Sequence, residues 1–459
     1  MNESVTSSNA MPKTKDLVTL FPPEFEWGVA TSAFQIEGAA FEDGKGESIW
    51  DRFCRLPGVI ADASDGDVAC DHYHRLDSDL DLIAGLGVDL YRFSTAWPRV
   101  QPLGEGAWNE KGLAFYDRLV DGLLARGLAP HLTLNHWDLP QALQDKGGWA
   151  SRDTVHRFVD YALGIQRRLG DRLAAITTHN EPWVVAVLGN EQGTFAPGIK
   201  SRKTAIQVSH HLLLSHGLAL QALRAEGATA KLGIVLNMAH TMPLTDSAAD
   251  RAKASLDDAH GRRWYSDPLF KAQYPAEVLA ELGADAPVVL PGDLEAIATP
   301  MDYLGVNYYS RALSSAAGPI EAKDKPFPKT DMGWEIYPDG LRELLLTLHR
   351  EYALPPTYIT ENGGAFPDAS ADGRVHDADR IDYLATHIQA VGQALAAGVP
   401  MVGYMVWSLM DNFEWSSGYA KRFGIVHVDY ATLERTPKDS ALWYRDLVAQ
   451  CRATRKAGA

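Results

Sequence analysis

The stretch 155–182, VHRFVDYALGIQRRLGDRLAAITTHNEP, contains the repeating unit that decides the fold. Apolar side chains from Val155 to Leu169 recur at the spacing of an amphipathic helix, and Gly170 is suited to end that helix. A short run of strand character follows at 175–178, and polar Asn180 and Glu181 come soon after it. Helices that alternate with short buried strands are typical of a parallel sheet.

Units of the same kind recur along the whole chain. Short runs rich in β-branched, aromatic and other apolar residues alternate with longer amphipathic stretches, and we predict strands at 26–30, 88–93, 129–134, 175–178, 231–236, 303–306, 357–360 and 401–406. Their number is the one that a closed (β/α)₈ barrel requires. We therefore predict an α/β protein that forms a single (β/α)₈ TIM barrel, with long strand-to-helix loops over its C-terminal face.

The chain of 459 residues is longer than the roughly 250 residues that such a barrel needs. We place the surplus in two long loops, 38–70 and 310–334, and the second is rich in Ala, Pro and Lys, which favours neither helix nor strand. No shift in composition marks a second domain. We expect one domain over 17–450, a disordered N-terminal lead over 1–16 and a C-terminal tail over 451–459.

Composition and charge restrict the classes of partner. The formal net charge of −16 argues against nucleic acid or an anionic membrane as the main partner, and no apolar run approaches the roughly 20 residues of a membrane span. Three cysteines do not form a disulfide framework in so long a chain. The polar lead does not resemble a signal peptide, because it has no apolar core. We expect a cytoplasmic protein.

Polar and aromatic residues follow nearly every predicted strand, as at Gln35, Arg92, His136, Trp137, Asn180, Glu181, Asn237, Asn307, Tyr309, Glu361 and Trp407. Because the carboxyl ends of barrel strands meet at one face, we expect these side chains to surround a common site. Amides and an imidazole suit hydroxyl groups, and indole faces suit C–H surfaces. The pattern indicates a polyhydroxylated ligand.

Two carboxylates stand out in this set. Glu181 follows the fourth strand and Glu361 follows the seventh, so the two side chains can face each other across the barrel mouth. Paired carboxylates are the groups that cleave glycosidic bonds, and their pKa values must differ for one to act as an acid. We expect Arg92 to keep Glu361 ionised, whereas Glu181 has no obvious cationic neighbour and is expected to stay protonated.

Six segments, in order along about residues 21–444, resemble glycoside hydrolase family 1, whose members include β-glucosidases, β-galactosidases and β-fucosidases. They are Phe34-Gln35-Ile36-Glu37-Gly38, Asn135-His136-Trp137-Asp138-Leu139-Pro140, Thr178-His179-Asn180-Glu181-Pro182, Asn307-Tyr308-Tyr309, Ile359-Thr360-Glu361-Asn362-Gly363 and Asp411-Asn412-Phe413-Glu414-Trp415. One such segment alone would be weak evidence, but six in the family's order are specific.

The resemblance implies a role for each residue of the site. Glu181 matches the acid/base and Glu361 the nucleophile of a retaining mechanism through a covalent glycosyl-enzyme. The expected substrate-binding residues are Gln35, His136, Trp137, Asn180, Asn307, Tyr309, Trp334, Trp407, Glu414 and Trp415, with Arg92 supporting the nucleophile. Among them Trp407 matches the platform beneath the sugar, and Trp334 the wall on the leaving-group side. The implied substrate is a small β-glycoside, and no cofactor and no metal are expected.

The residues at two places in the sequence restrict the class of substrate that we expect. Family members that act on 6-phosphorylated sugars have small and basic residues where Glu414 and Trp415 stand, and an acidic side chain there would repel a phosphate. Plant thioglucosidases of the family have Gln at the acid position, whereas Glu181 retains the acid. We therefore expect an O-glycosidase that acts on unphosphorylated glucosides, with galactosides and fucosides left open.

Three other functions remain as alternatives. A transglycosylase that prefers an acceptor to water would differ on the acceptor side, around Trp183 and the loop 310–334. A sugar-binding protein without catalysis should lack one of the two carboxylates. A sugar-phosphate isomerase would need a phosphate site after the last two strands, where Glu361, Glu414 and Trp415 stand instead. The oligomeric state is left unknown.

Histidine-rich stretches could suggest a metal site, notably those around His72, His74 and His210, His211 and His216. None has a partnered carboxylate or cysteine at ligand spacing. We interpret these histidines as packing or helix-surface residues.

Overall fold

The computed structural model describes residues 12–457, and its centre is a closed barrel of eight parallel strands. We number them β1 to β8: Glu26–Ala30, Leu90–Ser94, Ala129–Asn135, Ala175–Asn180, Lys231–Asn237, Tyr303–Asn307, Thr357–Asn362 and Met401–Trp407. Each strand pairs with its neighbours in the sequence, and β1 closes the barrel against β8, with Ala30 opposite Trp407. The predicted TIM barrel is confirmed.

Most strands extend one or two residues beyond their predicted ends. Asn307 pairs with Asn237 of β5 and Glu361 of β7, and Asn362 pairs with Val406 of β8. The prediction ended each strand where the side chains became polar. Backbone pairing does not depend on that polarity, because side chains at the mouth face the cavity rather than the core. At the other end of β2, pairing begins at Leu90, two residues later than predicted.

Helices surround the barrel and fill several of the loops. The α-helices are Thr14–Val18, Ala33–Ile36, Ile49–Phe53, Leu76–Gly85, Trp97–Val100, Glu110–Ala125, Gln141–Gln144, Arg152–Leu169, Arg202–Ala225, Ala248–Asp258, Trp264–Lys271, Ala276–Leu282, Asp293–Ile297, Pro338–Glu351, Ala378–Ala396 and Asp439–Ala457. Two π-helical segments are Val184–Gln192 and Ala259–Arg263, and short 3₁₀ turns are Gly148–Ala150, Gly283–Asp285, Ala322–Asp324 and Trp415–Ser417. Over residues 12–457, no helix has the length and apolar character needed to cross a bilayer.

The helix Arg152–Leu169 shows how the sequence pattern becomes structure. Its buried stripe includes Val155, Phe158, Ile165 and Leu169, as the helical spacing predicted, and Gly170 occupies the C-cap. The helix starts three residues before the apolar pattern, after Ser151, because its first turn is polar and the pattern could not mark it.

The core has two layers. The larger lies between the sheet and the surrounding helices. A smaller cluster fills the barrel interior, where Leu90, Tyr303, Tyr358 and Met405 are buried. This filling closes the lower part of the barrel, so the open space lies at the C-terminal ends of the strands.

Both predicted loops contain secondary structure. The first holds the helix Ile49–Phe53, whose start is fixed by a capping box between Ser48 and Asp51. The second was predicted to favour neither helix nor strand, and this is wrong for Ala312–Ser314, which pairs with the short strand Thr241–Pro243. Further short strands pair as Ala369–Ala371 with Arg374–His376, and as Val426–Val428 with Arg435–Pro437.

The ends of the domain differ from the prediction. The last helix crosses residue 450 and continues to Ala457, so the predicted tail is helical over 451–457. Tyr444, Leu447, Val448 and Cys451 are all buried and lie at helical spacing, which keeps the helix packed past that boundary. The helix Thr14–Val18 begins within the predicted lead. The remainder of the lead, 1–11, and the last two residues of the tail lie outside the described residues.

Candidate active site

A cavity of about 720 Å³ opens at the C-terminal ends of the strands. Most residues that the sequence predicted for the site line it, namely His136, Trp137, Glu181, Asn307, Tyr309, Trp334, Glu361, Trp407, Glu414 and Trp415. Gln35, Arg92 and Asn180 do not line it. They lie fully buried behind the lining residues and contact them.

Glu181 is the first residue after β4. It lies between that strand and the π-helical segment Val184–Gln192. Its backbone φ of 49° is in the left-handed region, and its N–H donates to the carbonyl of Val235 on β5. A non-glycine residue in this conformation is uncommon and is frequently found at functional sites. The Asn307 amide donates to Glu181 Oε1 at 2.5 Å.

Glu361 is part of β7, and its carboxylate is held by two donors. Arg92 Nη1 on β2 donates to Oε1 at 2.7 Å, and the Tyr309 hydroxyl donates to Oε2 at 2.6 Å. Arg92 and Glu361 are both almost completely buried, so this ion pair is screened little by solvent. These contacts fix the position of each oxygen of Glu361.

A chain of hydrogen bonds connects the two carboxyl groups. Arg92 Nη2 donates to Asn180 Oδ1 at 2.7 Å, and Asn307 Nδ2 donates to the same oxygen at 3.1 Å. Asn307 also contacts Glu181, and its own Oδ1 accepts from Thr360 Oγ1 at 2.7 Å. The orientation of the Asn307 amide is thereby fixed, since its oxygen and nitrogen have different partners.

The two carboxyl groups have different electrostatic surroundings. Burial, reinforced by the charge of Glu361, raises the pKa of Glu181 to about 8. Burial also raises the pKa of Glu361, but Arg92 and the Tyr309 hydroxyl oppose that rise directly. Glu181 therefore keeps its proton to a higher pH than Glu361 does. The contact between Arg92 and Glu361 lies where the sequence placed it.

His136 lines the cavity with a neutral imidazole ring. The side-chain oxygen of Asn180 accepts from Arg92 and Asn307, so the other end of this amide must be the nitrogen. Asn180 Nδ2 therefore donates to His136 Nε2, at 3.1 Å. Burial, together with the charge of Arg92, holds the pKa of His136 well below its usual range, so the ring is neutral. The proton must then be on Nδ1, which has no hydrogen-bond partner among residues 12–457.

Glu414 places a third carboxyl group in the cavity wall. Burial, together with the charge of Glu361, raises its pKa to about 8, and a hydrogen bond from the amide of Gln35 opposes that rise. In the described part of the chain its Oε2 has no hydrogen-bond partner. Gln35 is itself oriented by Ser32, which donates to its Oε1 at 2.6 Å, and it donates to the Phe413 carbonyl at 2.8 Å.

Aromatic rings form the floor and side of the cavity beside these polar groups. Trp407 stacks on His136 with centroids 5.8 Å apart, and Trp415 contacts Trp137 at 4.5 Å. The peptide bond between Trp407 and Ser408 is cis. Trp137 also donates from Nε1 to the carbonyl of Asn180 at 2.8 Å. The indoles are therefore held in place around the polar groups.

Several lining residues were not foreseen from the sequence. They come from the segments after β4, β5, β6 and β8 and include Leu188, Met238, Arg311, Leu313, Lys325, Met332 and Phe423. No motif marks these positions, and only their placement in long strand-to-helix loops connects them to the site.

Among the described residues, possible metal ligands lie together at one place outside the cavity. One group, Asp368, Asp411 and His427, has ligand atoms close together, and it is not part of the cavity lining. Lys438 Nζ lies 2.8 Å from both carboxylates, so a cation of the chain already occupies the position between them. Of the histidines noted in the sequence, His72 bonds to Asp79 and His210 bonds to Tyr274 and Asp293. His211 bonds to the Trp149 carbonyl and His216 to Thr178.

Comparisons with known proteins identify the family. Residues 17–453 match glycosyl hydrolase family 1. The chain is 48% identical to beta-glucosidase A of Acetivibrio thermocellus, over 93% of this chain and 98% of that one. It is 43% identical to a bifunctional beta-D-glucosidase/beta-D-fucosidase of Bifidobacterium breve, over 94% and 99% of the two chains.

Solved structures agree with this assignment. A Thermotoga maritima family 1 glycoside hydrolase, complexed with a cyclophellitol analogue transition state mimic, superposes with a TM-score of 0.91. It is 44% identical in sequence, and the match covers 94% of this chain and 98% of that chain. The chain described here therefore belongs to glycosyl hydrolase family 1 and is a glycoside hydrolase.

Proposed function

We propose that this protein removes terminal non-reducing β-D-glucosyl residues from small glycosides, with retention of configuration. The observation that supports this most directly is the pair of buried carboxyl groups, of which Glu361 is bound by Arg92 and Tyr309 while Glu181 is favoured in its protonated form. Paired carboxyl groups with separate acid and nucleophile roles are the basis of retaining glycoside hydrolysis.

Each carboxyl group has one role in each half of the reaction. A Glu361 oxygen attacks the anomeric carbon while the bond to the aglycone oxygen breaks, and Glu181 donates its proton to that oxygen. The product is a covalent glycosyl-enzyme. Glu181, now ionised, then takes a proton from water, whose oxygen attacks the anomeric carbon and releases Glu361. The hydrogen-bonded chain of Arg92, Asn180 and Asn307 holds both groups in position through the two steps.

The remaining wall suits an unphosphorylated sugar. His136 Nδ1–H can donate to a hydroxyl group, Glu414 Oε2 can accept from one, and Trp407 offers an indole face to the C–H surface of the ring. The ionised carboxylate of Glu361 would repel a phosphate group, and Glu414 offers it no positive charge. We propose glucose as the main sugar, and the bifunctional relative from Bifidobacterium breve supports activity on fucosides as well.

We also propose a cytoplasmic location and a small-molecule substrate as the only partner in the reaction. Cys54 and Cys70 are buried thiols, which is typical of proteins from a reducing compartment. The net charge of −16 disfavours binding to nucleic acid.

Variants of the two carboxyl groups test the assignment with 4-nitrophenyl β-D-glucoside. We expect Glu361→Ala to abolish turnover, because no nucleophile remains. Glu181→Ala should lose activity, and azide should restore part of it on this activated substrate and give the β-glucosyl azide. A matched control is Glu24→Ala, since Glu24 is exposed and precedes β1, at the opposite end of the barrel.

Two further measurements decide the outcome. NMR should show β-glucose as the first product, which identifies retention. Mass spectrometry of the native enzyme with a slow 2-fluoro glucoside should show the glycosyl group on Glu361. Near-normal activity of folded Glu361→Ala protein, or α-glucose as the first product, would contradict the mechanism.

A further inference from the structure

The cavity is larger than a single sugar ring requires, and its outer part has a different chemistry from its base. A cavity of about 720 Å³ is within the range that holds a drug-sized ligand. Beyond the strand ends it is lined by the loops after β5 and β6. We call this part the outer compartment and define it by Met238, Asp257, Arg262, Arg311, Leu313 and Lys325.

The wall between the carboxyl groups and the outer compartment is mainly apolar. It includes Trp183, Leu188, Met332 and Trp334, and it continues into Met238 and Leu313. Trp334 lies 5.4 Å from the ring of Tyr309, the residue that contacts Glu361, so this wall begins directly beside the reacting groups. Such surfaces favour a flat apolar group over a second sugar ring, whose hydroxyl groups need polar partners.

The far end of the outer compartment is basic. Arg262, Arg311 and Lys325 line it, against a single carboxylate from Asp257. Asp257 is already engaged, since Ser314 Oγ donates to it at 2.6 Å and Lys253 pairs with it. Arg262 is also satisfied, because Asp258 and Glu351 accept from all three of its nitrogens. The donors that remain belong to Arg311 and Lys325.

Arg311 is a buried cation with an incompletely used guanidinium group. Its Nε and Nη2 donate to Glu335 at 2.9 and 3.2 Å, and its guanidinium group lies over the rings of Tyr337 and Phe327, 4.2 and 4.7 Å from their centroids. Among the described residues, the hydrogen-bond acceptor of Nη1 is the Met242 sulfur, at 3.6 Å. A thioether is a weak acceptor. The side chain of Arg311 is only 6% exposed, so water does not easily substitute for the missing acceptor.

Lys325 adds a second cation on the same loop. It is half-buried, and over residues 12–457 no carboxylate forms an ion pair with its ammonium group. It lines the same cavity as Arg311. Burial raises the pKa of Glu335, but hydrogen bonds from Arg311 and the Phe327 N–H, together with the charges of Arg311 and Lys325, lower it. The ammonium group is available to an anion that enters the compartment.

We propose that the outer compartment selects aglycones that are apolar next to the glycosidic oxygen and carry a carboxylate at their far end. Lys325 is then a specificity-determining residue, and Arg311 supplies a second donor to the same anion. This inference rests on the proposed β-glucosidase function and specifies its substrate class.

A matched pair of substrates tests the charge preference. The acid is 4-(carboxymethyl)phenyl β-D-glucoside and the neutral reference is its 4-(carbamoylmethyl) analogue. The methylene group separates the charge from the phenol, so the two leaving groups are similar. We expect kcat/KM to be roughly two- to fivefold higher for the acid, the range of a partly exposed ion pair. The ratio should fall towards one in about 0.5 M NaCl, where charges are strongly screened.

Variants of Lys325 assign the preference to this residue. Lys325→Gln should reduce the acid-to-amide ratio towards one, and Lys325→Glu should reverse it. The matched control is Lys323→Gln, on the same loop, because Lys323 is exposed, pairs with Glu321 and does not line the cavity. That variant should keep the wild-type ratio.

The outcomes separate this inference from the function on which it depends. Hydrolysis of both glucosides with equal kcat/KM, or a preference that survives in both Lys325 variants, would overturn the inference alone. A higher kcat/KM for cellobiose than for either aryl glucoside would also overturn it. Failure to hydrolyse any of the three glucosides would overturn the proposed function, and the inference with it.

Discussion

Replacement of Arg92 by Met should move the acid limb of the pH–rate profile to higher pH. Arg92 Nη1 donates to Glu361 at 2.7 Å, and both side chains are buried. Burial already raises the pKa of Glu361, and Arg92 is the largest influence that opposes this rise. Without Arg92, the ionised nucleophile loses that support, and the protonated, inactive form persists to higher pH.

The size of the effect follows from the contact that is lost. A hydrogen bond to a charged group contributes about 1.5–3 kcal/mol, and about 1.36 kcal/mol corresponds to one pKa unit. The acid limb should therefore rise by about 1 to 2 pH units. Arg92→Lys keeps the positive charge but not the geometry that reaches both Glu361 and Asn180, so a smaller rise is expected.

The assay is the pH dependence of kcat/KM for 2,4-dinitrophenyl β-D-glucoside. This leaving group departs without a proton, so the basic limb set by Glu181 should be weak and the acid limb can be read in isolation. Circular dichroism of each variant checks that it is folded. A folded Arg92→Met enzyme that is slower at every pH but has the wild-type acid limb would refute the role assigned to Arg92.

Two further predictions concern the nucleophile and the packing of the barrel. Tyr309→Phe removes the 2.6 Å hydrogen bond to Glu361. The pKa of that carboxyl group should therefore rise by about one unit, and kcat/KM on the acid side of the pH optimum should fall about tenfold. An unchanged acid limb in the pH profile would contradict this. Leu345→Ala, at a fully buried position of the helix Pro338–Glu351, should destabilise the protein by about 2–5 kcal/mol. Urea unfolding measures this loss. The control is Leu124→Ala, at an exposed leucine, which should shift the urea midpoint of unfolding far less. Equal shifts for the two variants would show that burial does not explain the loss.

The barrel could be predicted from the sequence because its strands and helices have clear and different periodicities. β1 has the predicted bounds, whereas the strands that contain Asn307 and Glu361 continue past theirs. Local hydrophobicity cannot show that pairing continues through a polar residue. For the same reason the sequence could not show that Glu361 belongs to a strand while Glu181 lies just beyond one.

The candidate site was predictable where residues follow strands and less so elsewhere. The contact between Arg92 and Glu361 could be anticipated because the carboxyl ends of all eight strands meet at one face, although β2 and β7 are not neighbours in the barrel. Gln35 lies behind the cavity wall with its amide bonded to Ser32 and Phe413, and its contact with the sugar stays a prediction. The basic outer compartment could not be anticipated, since Arg311 and Lys325 are brought together by loop folding, which leaves no periodic pattern in the sequence.

The chain of hydrogen bonds between the two carboxyl groups joins residues from four different strands of the barrel. Arg92, Asn180, Asn307 and Glu361 all belong to the strands themselves and not to the loops. The geometry needed for bond cleavage is thus built into the scaffold, while the chemistry that distinguishes one aglycone from another is left to segments that can change length and composition. Such a division lets substrate range evolve without disturbing the reaction itself.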